Sequence, residues 1–181
     1  MRNIVLLVYF FILVNLLQSC TGQNSDSISI WQSKYHNFKA SYSSLWTLLP
    51  SYDTEEKTIF GVIDKKDGKS YIVKITKDVS KEELPDTDYY EYFKETMLKE
   101  NPNNKFLGEQ DIQFHGENYH GLEFLMHTEK WGILKQYAYI KRQGDFLTGI
   151  QVSYPILEND TNTEMPLSLK ELDKNIKFGN N

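Results

Sequence analysis

The chain has 181 residues, 40% of them hydrophobic, with 20 Lys and Arg against 25 Asp and Glu and a formal net charge of −5. Acids and bases are interspersed rather than blocked, which describes an ordinary solvated surface and excludes the basic patch that nucleic-acid binding requires. A single cysteine excludes an intrachain disulfide framework.

The first twenty residues carry the clearest signal. Arg2 forms a short positive region, Ile4 to Leu17 an apolar run broken by Asn15, and Leu17-Gln18-Ser19-Cys20 sets a small residue before the only cysteine. This is the order of a secretory signal peptide over residues 1–19. The run is shorter than the roughly 20 apolar residues a transmembrane helix needs. The cleavage region resembles the lipobox of bacterial lipoproteins, which implies that Cys20 becomes the lipid-modified N-terminus. More than one acyl chain, at about 0.8 kcal/mol per buried methylene, gives stable anchoring. The implied address is the cell envelope. Thr21 stands where some bacteria place an aspartate that retains lipoproteins at the inner membrane, so the analogy points to the outer membrane of a Gram-negative bacterium.

Residues 20–181 hold 19 basic and 25 acidic side chains, a formal charge of −6. Residues 20–29 are small and polar and read as a flexible, lipid-proximal tether. From residue 30 to 181 no composition shift, repeat or low-complexity tract marks a second domain, and the length fits one.

Within that domain, Phe38, Ala40 and Tyr42 alternate with Lys39, Ser41 and Ser43, predicting a half-buried strand that runs into Leu45-Trp46. Residues 58–64 and 70–76 are β-prone runs flanking Lys65 to Lys69, where Asp67-Gly68 suits a hairpin turn. After Pro85, Asp86 or Asp88 is placed to cap a helix with Tyr89, Tyr92, Phe93, Thr96 and Met97 on one stripe. Asn101-Pro102 stops it. Residues 111–114, 119–128, 133–142 and 146–154, separated by short glycine-containing gaps, predict an antiparallel meander. Ser168 and Glu171 have capping-box spacing for a terminal helix, with Leu169, Leu172 and Ile176 on its apolar face. Without βαβ alternation the class is α+β, an antiparallel β-sheet with helices packed on its faces.

The tract Tyr35-His36-Asn37-Phe38-Lys39-Ala40-Ser41-Tyr42-Ser43-Ser44-Leu45-Trp46 resembles the opening of PsbP-like domains, where an aromatic strand leads through a turn to a tryptophan. Ser44-Leu45 stands where that family usually has a proline. The order that follows, hairpin, helix, meander and terminal helix, is also similar. The resemblance implies an α/β/α sandwich used mostly for binding or assembly. Its best-known members are extrinsic subunits of photosystem II, and bacterial relatives include lipoproteins of unknown role and secretion-related chaperones. It carries no catalytic residues across.

Candidate chemistry is thin. His115, Glu117 and His120 lie within six residues, and His127 invites a metal reading. On one strand, however, His120 shares a face with Leu122, Phe124 and Met126, while His127 lies on the other. No C-x-x-C or H-E-x-x-H spacing supports a site, and the cluster reads as a hairpin turn without metal or cofactor. Asp64, Asp67 and Gly68 lack the pattern of a calcium loop. Asn159-Asp160-Thr161 fits a glycosylation sequon but reads as loop in a bacterial lipoprotein. G-x-S-x-G, P-loop and G-x-G-x-x-G motifs are missing, so the expected protein is not an enzyme and no catalytic residue is assigned.

The aromatics are more informative. Tyr137 and Tyr139 share a strand face with Ile133, and most tyrosines should build core. Adjacent Tyr89 and Tyr90 point about 100° apart on a helix, leaving one partly exposed, as is Trp131 in its turn. These three are the candidate partner-binding residues, since Tyr and Trp anchor protein interfaces and also stack on sugars. The favoured expectation is a lipid-anchored protein that binds an envelope protein or supports assembly of a membrane-associated complex. A small-ligand or glycan-binding lipoprotein, or a hydrolase with an unrecognised site, is the alternative.

Overall fold

Glycine turns and alternating apolar residues translate directly into paired strands. In the computed structural model, which describes residues 27–77, 89–157, 160 and 164–178, the elements run β1 (Ile28–Gln32), β2 (Phe38–Ser43), β3 (Thr47–Leu48), β4 (Tyr52–Asp53), β5 (Lys57–Ile63), β6 (Ser70–Lys77), α1 (Tyr89–Glu100), β7 (Lys105–Phe114), β8 (Glu117–Thr128), β9 (Gly132–Gln143), β10 (Phe146–Pro155), α2 (Leu167–Lys174) and β11 (Ile176–Phe178). The expected signal peptide, Cys20, the proposed caps Asp86 and Asp88, and Asn159 and Thr161 of the sequon lie outside the described residues. No helix among the described residues is long and apolar enough to cross a membrane.

The expected hairpin and meander both form, and they join into one sheet. β5 pairs β6 antiparallel, β7 to β10 pair in sequence order, and β10 pairs β6, giving the order β3-β5-β6-β10-β9-β8-β7 with β4 alongside β5. Gly68 takes φ +80 in the β5–β6 turn, a conformation that glycine adopts without strain. The meander's first strand begins at Lys105, six residues before the expected run.

Strand parity sends alternate side chains of the large sheet into two apolar clusters. Tyr71 and Val73 of β6, Tyr139 of β9 and Val152 of β10 join Phe38 and Ala40 of β2 and Leu169 and Leu172 of α2. On the opposite parity, Leu122 and Phe124 of β8 and Ala138 and Ile140 of β9 meet Met97 of α1. Phe60, Phe124, Leu122 and Leu169 are fully buried, each contributing about 1.5–3 kcal/mol of transfer free energy.

Four expectations require correction. The one antiparallel sheet expected is two: the aromatic strand β2 lies in a second, three-stranded sheet in the order β1-β2-β11. β1 begins at Ile28, so the last two residues assigned to the tether, Ile28 and Ser29, are part of the domain. The stripe of α1 is rotated: Phe93 and Met97 face the sheet with Tyr89 and Tyr90, whereas Tyr92 and Thr96 are exposed. The terminal helix starts one residue before Ser168, with Pro166 at its N-cap and no side-chain cap. The Pro166 carbonyl accepts the N–H groups of Leu169 and Lys170 instead. Ile176 is not helical; it pairs with Ala40 and is 1% exposed. An apolar residue four positions after Leu172 reads alike in a helix or in a buried strand, and here the open edge of β2 decides.

Candidate functional site

The large sheet has two unlike ends. At one, the β5–β6 and β8–β9 turns meet: a Cβ built on Gly68 would lie 2.5 Å from Trp131 Cδ2, so the indole sits directly on the turn glycine. Lys130 Nζ lies 4.4 Å from the Trp131 ring centroid. Trp131 is half-buried, as its place in the turn predicts, and covers the β5–β6 turn.

At the other end the β7–β8 and β9–β10 turns surround two polar clefts. One, of about 510 Å³, is lined by Tyr90, Asp111, Asn118, His120 and Arg142. The second, of about 400 Å³, is lined by His36, His115, Glu117, Phe146 and Phe178. Tyr119 and Lys141 line both, and Lys141 Nζ pairs with Glu117 Oε2 at 2.7 Å. Arg142 and Arg2 are the two arginines of the sequence.

The β7–β8 turn puts His115 at φ 51 and Gly116 at φ 75, the two positive values of a two-residue hairpin turn. His115 Nε2 lies 3.2 Å from Asp173 Oδ1 on α2, and its ring centroid is 5.4 Å from that of Phe178. Asp173 also accepts the Tyr71 hydroxyl at 2.6 Å. His120 faces the other way. Its Nδ1 is 2.9 Å from Asp111 Oδ1, its Nε2 3.7 Å from Glu109 Oε2, and its ring centroid 4.3 Å from that of Tyr90. The sequence cluster is therefore split between the two faces. His127 lies at the opposite end, paired with Ile133. Among the described residues no group of three His, Cys, Asp or Glu side chains is placed to hold a metal.

Ser33, His36 and Asp53 meet near the second cleft, but their wiring is not that of a nucleophile and its base. Ser33 Oγ donates to Asp53 Oδ1 at 2.6 Å, as does Thr58 Oγ1 at 2.7 Å. His36 Nδ1 lies 2.7 Å from Thr58 Oγ1, and the Lys34 N–H reaches Asp53 Oδ2 at 2.8 Å. Ser33 and Thr58 are buried. The cluster fastens the β1–β2 turn to β4 and β5. Burial acts to raise the Asp53 pKa, but the hydrogen bonds from Lys34, Ser33 and Thr58, with the His36 charge, together hold it below the usual aspartate value.

Tyrosines fill much of the space between the two sheets. Burial first, and then the Asp173 charge and hydrogen bond, push the Tyr71 phenol well above its ordinary pKa. Burial and the Glu117 charge raise Tyr119 to about 12. Tyr137 and Tyr139 stack at 6.0 Å on the shared face that parity requires.

Of the candidate partner-binding residues, Tyr90 alone lines the turn-end cleft. Tyr89 helps to line an apolar cavity of about 120 Å³ between α1 and the sheet, with Phe93 and Leu147. Their ring centroids are 6.3 Å apart and their planes are inclined at 75°. Asp111, Arg142 and His36 were not nominated by the sequence. Asp111 was accessible to it in principle: a two-residue turn at 115–116 fixes the register, which places Asp111 directly opposite His120. Nothing local announces the approach of Asp173.

No family model and no curated protein sequence matches the chain. Among solved structures it is similar to cyanobacterial PsbP (CyanoP) from Synechocystis, with a TM-score of 0.53 and 15% identity over 88% of this chain and 97% of that one. A Bacteroides thetaiotaomicron protein gives a TM-score of 0.47 at 12% identity, covering 83% of this chain and 48% of that one. A Pseudomonas aeruginosa protein of unknown function gives 0.39 at 17%, covering 71% and 83%. The first similarity defines a PsbP-like fold of antiparallel sheets with, among the described residues, two helices; at 15% identity it transfers no site residue.

Proposed function

We propose that the chain is a non-enzymatic lipoprotein of the bacterial cell envelope, anchored through Cys20, whose domain binds a protein partner through the turn-end cleft. The helix and the small sheet form outer layers of a PsbP-like sandwich, and its meander turns carry the binding rim.

One observation carries this reading. The cleft combines a half-buried aromatic, Tyr90, with both signs of charge: Asp111 is paired with His120 at the surface, and Lys141, which lines both clefts, is paired with Glu117 of the adjoining one. Asp111 and Glu117 are 86% and 52% exposed. Exposed pairs of this kind contribute little to stability, about 0–1 kcal/mol each, so they are free to re-pair across an interface, where such complementarity sets partner choice and encounter rate. An aromatic and an arginine beside them match the composition of interface centres. The serine, histidine and aspartate that do assemble are spent on holding a turn.

The test is a crosslinked pull-down of the lipidated, tagged protein from its native envelope, beside Cys20→Ser and Tyr90→Ala/Arg142→Gln forms. A stoichiometric partner lost with the double substitution supports the reading. Retention of that partner moves the interface elsewhere, and a correctly anchored protein that captures nothing overturns it. In that event, saturable glycan binding with Tyr90 as a stacking platform becomes the reading to measure.

A further inference from the structure

The small sheet has an outer face that the domain's own chemistry leaves unexplained. Because Trp31, Ala40 and Ile176 point into the core, the alternate positions of β1, β2 and β11 point out. Ile28 and Ile30 are 72% and 63% exposed there. The register sets Ser43 and Ser41 beside them and brings Lys39 directly opposite Lys177. Both lysines are exposed, and no acidic residue stands at an outward position of these three strands. Directly opposed like charges destabilise a sheet, and neither lysine has a carboxylate partner among the described residues. In a mature chain of charge −6, an outer face with two bare isoleucines and two opposed lysines is complementary to something both apolar and anionic.

Covalent geometry supplies the occupant. Cys20 precedes Ile28 by eight positions, a span of at most about 27 Å even when fully extended. The tether enters the domain at β1, so with Cys20 acylated this is the part of the fold held nearest the bilayer. We propose that the outer face of the β1-β2-β11 sheet lies on the anionic phospholipid surface that carries the anchor, with Ile28 and Ile30 at the level of the headgroups and Lys39 and Lys177 against their phosphates. The lipid chains supply the affinity and this face supplies the orientation, turning α1 on the far side of the large sheet away from the membrane. The inference rests on the lipid anchor of the preceding section and is independent of the partner cleft.

The test uses the full mature lipoprotein reconstituted into vesicles. An environment-sensitive fluorophore is attached through Ser41→Cys, and in a separate preparation through Lys99→Cys on α1; Cys20, the other thiol, is acylated. In phosphatidylethanolamine–phosphatidylglycerol vesicles the Ser41 probe shifts to the blue and the Lys99 probe does not. The shift is lost in the Ile28→Ser/Ile30→Ser form, and in vesicles of phosphatidylcholine alone or with Lys39→Gln/Lys177→Gln. Flotation of every sample with the vesicles reports the anchor separately. Co-flotation with no Ser41 shift, or with equal shifts at both positions, overturns the orientation while leaving the anchor intact. Failure to co-float overturns the anchor and this inference with it.

Discussion

The two ends of the large sheet are built from the same turns but to opposite purposes. Where Trp131 lies on Gly68, a large ring closes the hairpin ends and the contact is steric. At the other end the β7–β8 and β9–β10 turns are surrounded by clefts, and the pairs of Asp111 with His120 and of Glu117 with Lys141 are polar and reach the surface through their carboxylates. The difference teaches where to look for function in a fold that carries no catalytic motif. Substitutions at the closed end should register in stability alone, and those at the open end in binding, with the polar fastenings between sheets lying in between.

The largest effect is expected at the closed end. Gly68→Ala places a Cβ 2.5 Å from the indole at a φ of +80, combining steric overlap with backbone strain; a loss of about 2–3 kcal/mol in urea unfolding is expected. Trp131→Ala removes the overlap but not the strain. The two changes should therefore be non-additive by about 1 kcal/mol or more in a double-mutant cycle. Additive losses would show that the ring does not press on the turn.

Next comes the link between the sheet and α2. Tyr71 is 0% exposed and its hydroxyl donates to Asp173, so Tyr71→Phe removes a buried bond to a charged acceptor, costing about 1.5–3 kcal/mol. The phenol also carries a pH signature. Its pKa is raised in the folded state, so its contribution is complete below the ordinary tyrosine value and is lost as pH rises through the folded one. Tyr71→Phe should lower stability at neutral pH yet flatten the decline above about pH 10. An unchanged alkaline limb would mean that Tyr71 does not titrate with unfolding.

How much of this contrast was visible in the sequence depends on the distance over which each feature is decided. The hairpin and meander are local: alternation, a glycine and a short gap determine each turn, and three of the four meander strands fall within two residues of where the pattern puts them, while β7 begins six residues early. The small sheet is not local, since β2 is completed by residues 176–178, and neither segment contains a sign of the other. The face of α1 was ambiguous for a different reason. Tyrosine is apolar in its ring and polar at its tip, so Tyr90 and Tyr92 score alike until a sheet selects one. At the site, Tyr90 and the separation of His120 from His127 by parity were legible, whereas the split of His115 from His120 and the pairing of His115 with Asp173 require tertiary contact.

A smaller effect belongs to Asp53, the acceptor at the centre of the β1–β2 fastening. Its pKa is lowered on folding, so its contribution is present above the ordinary carboxylate range and is lost as pH falls through the folded value. Asp53→Asn should leave a less steep acid limb in unfolding followed below about pH 4, with a cost at neutral pH from the weakened Ser33 and Thr58 bonds. Parallel acid limbs in the two proteins would remove Asp53 from the set of titrating groups.

The smallest effect on stability is expected at the open end, where it is also the most informative. Asp111 is 86% exposed and its bond to His120 lies at the surface, so Asp111→Asn should change unfolding free energy by less than about 0.5 kcal/mol. The same change removes one charge from the cleft that Tyr90 and Arg142 line, so partner capture should weaken, and weaken less at high salt, where screening has already removed the charge's contribution. Stability and binding would then separate within a single substitution, the opposite of what Gly68→Ala does. If Asp111→Asn instead costs as much stability as Tyr71→Phe, the open end is a structural fastening like the closed one, and the binding surface must be sought on another face.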